Sequence, residues 1–135
     1  MVTRVSYPTG QVTAFSAGVG LSDVSLLATG NGWSAASLTA HAGGGQAAAT
    51  PLVSAINLIA VCATAGDSVI LPPAMGGQMM WIANGGAASA QIFTALGLGG
   101  TINGVAGTTG IALAAGKNMT LMSPILGAWF SVLSA

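Results

Sequence analysis

Only four side chains in 135 residues, Arg4, Asp23, Asp67 and Lys117, are fully charged at neutral pH. They make up 3% of the chain, where a soluble domain ordinarily carries about 25%. A folded monomer of 13.0 kDa exposes about 6,300 Å² of surface. Each charge then serves roughly 1,600 Å², about the total area of a standard protein–protein interface. Uncharged surface of that extent at a formal net charge of 0 favours association over solubility. The chain is therefore expected to hide much of its exterior from water. At this length it holds one core, not two.

Lipid is the first candidate cover, because hydrophobic residues reach 53% and the mean hydropathy is +0.80. A spanning helix needs about 20 mostly apolar residues. The best window, Pro51 to Ala65, is shorter and contains Ser54, Asn57 and Thr64. Alanine inflates the apolar count while driving burial only weakly. A single-chain membrane barrel needs at least about eight strands with aromatic girdles, which three Trp, three Phe and one Tyr do not supply. Met1 to Gly10 lacks the basic start and apolar stretch of a signal peptide. The single cysteine, Cys62, excludes an internal disulfide and fits a chain made in a reducing cytoplasm. Two cations cannot track a phosphate backbone, so nucleic acid is not expected as a partner. Protein remains as the cover.

The 21 glycines fall between short β-prone runs. From Ile56 onward these runs are Ile56–Ala63, Ser68–Leu71, Gln78–Ala83, Ser89–Ala95, Gly110–Ala114, Met119–Met122 and Ala128–Leu133. Turn chemistry separates them, as in Ala65-Gly66-Asp67, Asn84-Gly85-Gly86, Asn103-Gly104 and Ala115-Gly116-Lys117. Seven short strands with a turn every 8–12 residues or so predict an all-β fold. The expected form is a small antiparallel β-barrel or sandwich, jelly-roll-like, over residues 51–135. Gln78-Met79-Met80-Trp81-Ile82 is apolar on both faces, and such a strand needs a partner on each. Trp81, Trp129, Val69, Leu71 and Ile82 are expected in the core. Residues 1–50 hold few large apolar side chains and several glycine clusters, and predict an extended arm that contacts neighbours. Short strands at Met1–Val5, Gln11–Phe15 and Ser22–Leu27 are compatible with it, and Pro51 to Ser54 predicts one helical turn.

Two segments carry a resemblance. One is Leu38-Thr39-Ala40-His41-Ala42-Gly43-Gly44-Gly45-Gln46 running on to Thr50-Pro51-Leu52. The other is Ile56-Asn57 followed by Ala65-Gly66-Asp67-Ser68-Val69-Ile70-Leu71-Pro72-Pro73-Ala74. It continues through Ile82-Ala83-Asn84-Gly85-Gly86, Ile102-Asn103-Gly104, Ile111 to Lys117 and Trp129. Together they resemble a module of tailed-bacteriophage structural proteins, such as capsid decoration (cement) proteins, head fibres and tail-fibre attachments. The resemblance spans about Leu38 to Leu133 and implies a trimeric β-structure on a virion. It implies a cement protein on the capsid exterior, with the major capsid protein and its own copies as partners. The alternative is a head-fibre or tail-fibre module that binds a receptor or glycan. Residues 1–37 fall outside the resemblance.

Catalytic chemistry finds little to work with. His41, the one histidine, stands beside Gly43-Gly44-Gly45 with no nucleophile motif near it. One His, one Cys and two Asp lack metal-ligand spacing, and no carboxylates cluster for calcium. Two acidic residues offer almost no acid–base pair. Gly30-Asn31-Gly32-Trp33-Ser34-Ala35 fits a dinucleotide pattern formally, but the residues after it make a poor helix. Asn118-Met119-Thr120 matches a glycosylation acceptor, which carries no meaning without a secretory signal. No enzyme activity, cofactor or metal is expected. Asp67 and Lys117 each follow Ala-Gly at a strand junction, as turn residues or as partners of a charge on a neighbouring subunit. Arg4, Asp67, Lys117 and Trp33 are the expected interface residues, Trp33 because aromatic side chains are enriched at interfaces.

Overall fold

A computed structural model describes residues 35–135. The first six strands are β1 (Ala35–Thr39), β2 (Thr50–Pro51), β3 (Ile56–Val61), β4 (Ser68–Ile70), β5 (Gln78–Asn84) and β6 (Ala90–Phe93). The remaining five are β7 (Thr101–Ile102), β8 (Val105–Ala106), β9 (Ile111–Leu113), β10 (Asn118–Ile125) and β11 (Ala128–Leu133). All are strands, and the described residues contain no helix. Each of the seven runs expected from Ile56 onward forms a strand. Their ends agree to within about three residues, the usual uncertainty of such boundaries.

The strands pair differently from the expectation. The large sheet has the order β1-β3-β5-β10-β11-β7-β8 and the small one β2-β4-β6-β9. From β1 to β6 the chain alternates between the two sheets, so it winds in coils. Each coil pairs parallel with the next: Ala35 lies opposite Ile56, and Ile56 opposite Trp81. On the small sheet Thr50 lies opposite Val69, and Val69 opposite Ile92, again parallel. This is a β-solenoid-like arrangement, not an antiparallel barrel or jelly roll. Antiparallel strand pairs occur only in the last part, where β10 lies between β5 and β11, β9 closes on β6 and β7 meets β8, while β7 and β11 are parallel.

The turns account for the difference. Asn103-Gly104 does make a two-residue hairpin joining β7 to β8, with φ of 52° and 80° at its two central residues. Positive φ at both is the hairpin geometry that Asn-Gly accepts at low cost. Asn84-Gly85-Gly86 and Ala65-Gly66-Asp67 instead turn corners from one sheet to the other. At the first, Gly85 donates its N–H to Ile59 O at 2.9 Å, and Ala87 and Ala88 donate to Cys62 O at 3.0 and 2.9 Å. One coil's corner thus rests directly on the corner of the coil before. A methyl group on Gly86 would lie 2.4 Å from Cys62 N and 2.6 Å from its Cβ, so only glycine fits.

The core lies between the two sheets. Ile59, Ile82, Leu121 and Trp129 enter it from the large sheet, Val69 and Ile92 from the small one, and Leu71 follows β4 into it. Trp129, Val69, Leu71 and Ile82 therefore lie where the sequence places them. Trp81 does not. Alternation along β5 sends Met80 and Ile82 inward, so Trp81 points outward and is 37% exposed. The expected helical turn is also absent. Thr50–Pro51 is a strand, and Leu52 extends the pairing by donating to Ile70 O at 2.9 Å. β1, within the segment read as an arm, is paired into the large sheet. The rest of the expected arm, residues 1–34, lies outside the described residues, as do the strands expected there.

Replacing Gly86 with Ala should destabilise the fold by about 1–3 kcal/mol, the usual cost of forcing an extra carbon into a packed site. Urea unfolding followed by circular dichroism would read this as a lower midpoint. An unchanged midpoint would contradict the corner stacking.

Candidate functional site

Residues on successive strands of the large sheet share a face by register, and the period of two decides which residues those are. The inward face takes Asn57 and Ile59 of β3, Met80 and Ile82 of β5, Met119, Leu121 and Ser123 of β10, and Trp129 of β11. The outward face therefore presents the residues between them. Met79, Met122 and Phe130 lie side by side across β5, β10 and β11. Trp81, Thr120 and Val132 form the next row, which Ile56 and Ala35 continue toward β1. Beyond them Leu58 stands between Ser37 and Ala83. Directly opposed side chains on neighbouring strands are about 5 Å apart, so these rows make one continuous surface.

That surface is mainly apolar, with the hydroxyls of Ser37 and Thr120 on it, and carries no ionisable group among the described residues. Trp81, Met79, Met122, Phe130, Val132 and Leu58 remain between 37% and 62% exposed. A two-layer β fold ordinarily places polar side chains on its outward faces. A second apolar region lies at one end of the sheets, where the loop after β6 meets the turn between β10 and β11. Leu98 and Leu126 line a cleft of about 180 Å³ together with Ala74, Thr94 and Ala95. Gly127 fixes this turn by donating to Ala74 O at 2.9 Å. Leu126 is 79% exposed.

Asp67 and Asn84 are buried at the corners of the coils. Asp67 lies at the corner between β3 and β4. One carboxylate oxygen accepts from Gly43 N at 3.2 Å, the other from Ala63 N and Thr64 N, both at 3.0 Å. The carboxylate thus ties the glycine loop of one coil to the corner of the next. These bonds, that from Thr64 foremost, hold its pKa below the ordinary aspartate value against the opposing effect of burial, with His41 adding a smaller electrostatic contribution. Both Asp67 carboxylate oxygens are thus committed inside the subunit. The turn role weighed for it from the sequence is the one it fills. Asn84 acts similarly, donating to Ala88 O and Leu113 O, both at 2.8 Å, and accepting from Gly86 N at 3.0 Å.

Lys117 is half-buried, and its ammonium donates to the carbonyl oxygen of Ala135. Arg4 and Trp33 lie outside the described residues, as does most of the formal dinucleotide pattern. His41 pairs through its backbone with Ser68, giving and accepting bonds of 2.9 Å. Among the described residues no three His, Cys, Asp or Glu side chains gather as a metal site. Cys62 is buried, and that burial, followed by the Asp67 charge, pushes its thiol pKa up. It packs as a neutral thiol.

Sequence reasoning missed the outer face because it assigned Trp81 to the core. The signal was there in Met79-Met80-Trp81-Ile82, where strict alternation puts two large side chains on each side. No family model, curated protein or solved structure matches this chain. Its surfaces are read from their own chemistry.

The depressed Asp67 pKa implies an acid-sensitive fold. A carboxylate whose pKa is lower folded than unfolded adds stability above its unfolded value, about 3.9. That contribution is lost as pH falls through the folded value. Asp67→Asn should be less stable than the parent at pH 7. Its melting temperature should also fall less between neutral and acidic pH. Parallel melting curves for parent and variant across that range would contradict the role assigned to Asp67.

Proposed function

We propose that this chain is a non-enzymatic structural subunit of a bacteriophage particle. In this reading it is a decoration protein that binds the outside of the head as a homotrimer and reinforces the major capsid protein lattice. The observation that carries the assembly role is the uncharged apolar outer face of the large sheet. Monomeric proteins rarely leave such a patch open unless it binds something. The virion setting rests on the sequence resemblance from Leu38 to Leu133.

Two separate apolar regions suit a subunit that must meet two kinds of neighbour. The broad sheet face offers a surface for other copies, and the loop end at Leu98 and Leu126 offers a smaller knob for the shell. Contacts made only with the assembled shell stabilise it by mass action, because they are lost when the lattice comes apart. A stack of coils is also stiff, since the inner strands β3, β5, β4 and β6 are held by main-chain bonds on both sides.

One observation favours the fibre alternative. Trp81 points outward, and an exposed indole is a platform on which a sugar ring can stack. The residues around it are mainly aliphatic, with Thr120 the one hydroxyl beside it in register, and a sugar needs several polar partners.

Quantitative mass spectrometry of purified particles carrying the chain separates these readings. The decoration role predicts hundreds of copies per particle, in fixed ratio to the major capsid protein. A handful of copies at the tail would favour the fibre role, and absence from the particle would contradict both.

A further inference from the structure

We infer that the outer face of the seven-stranded sheet is the self-association surface, covered by the same face of another copy of this chain. This deepens the proposed assembly role and rests on it. In a homotrimer the three faces would turn toward the shared axis.

Three features select a second copy as the occupant. The first is charge. The face offers nothing for an oppositely charged partner to recognise, so whatever covers it must itself be uncharged and apolar. The same chain supplies such a surface at equal concentration.

The second is relief. Met79, Met122 and Phe130 form a continuous ridge, while Thr120 lies as a hollow between Trp81 and Val132, and Leu58 stands up between Ser37 and Ala83. Sheets turned toward a shared three-fold axis meet their neighbours by interdigitating side chains, as packed sheets do. A face that carries both ridges and hollows is complementary to itself.

The third is area. With about 200 Å² for a large side chain fully exposed, the six apolar residues named above present roughly 500 Å². The smaller residues between them bring the face to the order of the 800 Å² that each partner contributes to a standard interface.

The Leu98 and Leu126 region is not part of this surface, and that separation makes the inference testable. Light scattering coupled to size-exclusion chromatography should give the full-length chain about three times the 13.0 kDa of one copy. Trp81→Asp and Met122→Asp each place a carboxylate in the middle of the face. Either should weaken self-association by at least about 100-fold, since an unpaired charge would be buried there. The expected variant species is a monomer with an unchanged far-ultraviolet circular dichroism spectrum. Leu126→Asp, at the loop end, should keep the parent mass. If the two face variants keep the parent mass, the inference is overturned while an assembly role stands. A parent chain that is monomeric at every concentration would overturn it too, and copy number on the particle would then decide the proposed function independently. Should one face variant fail to fold, the other carries the test.

Discussion

The parallel ladders that join β1 to β3 to β5, and β2 to β4 to β6, are the interaction on which the remaining structure depends. The chain is rich in Ala, Gly, Ser and Thr, whose side chains bury little apolar area each. Hydrogen bonds between coils supply order that such side chains cannot. Coils can stack at strand spacing only if their corners are slim. Gly86 lying against the Cys62 backbone, with Cys62 O accepting two further bonds, shows how closely the corners approach. Corners this close demand glycine, while the core between the sheets keeps large side chains such as Ile59, Ile82 and Trp129.

The same constraint explains where the charge went. Each corner leaves backbone N–H groups facing inward, and an unpaired buried N–H is costly. Asp67 takes three of them, and Asn84 binds two carbonyls and an N–H at the following corner. Asp67 is therefore spent inside the subunit, and Lys117 is bonded to Ala135. Strands apolar on both sides then leave one side uncovered, and the large sheet meets its surroundings on that face without any ionisable group among the described residues.

Much of this was legible in the sequence. Turn residues and β-prone runs located seven strands, Asn103-Gly104 marked a true hairpin, and Val69, Leu71, Ile82 and Trp129 were placed in the core. The pairing was not legible, because a glycine-rich turn looks alike whether it folds a strand back on its neighbour or carries it to the opposite sheet. Asn84-Gly85-Gly86 has hairpin residues yet turns a corner; what distinguishes it is Cys62, more than twenty positions earlier, beneath it. β1 and β2 were missed for a related reason, since Ala35-Ala36-Ser37 and Thr50-Pro51 have little strand character until a neighbouring coil pairs with them. Trp81 was misplaced because size was weighed above alternation. Once β5 is a strand with Ile82 inside, Trp81 has to face out.

The central claim is that the outer sheet face is dry when the protein does its work. Hydroxyl-radical footprinting of the assembled state, read by mass spectrometry at single residues, tests this most directly. The account predicts that Met79, Trp81, Met122 and Phe130 become strongly protected on assembly relative to the dissociated chain. Equal labelling of these four side chains in the assembled and dissociated states would contradict it.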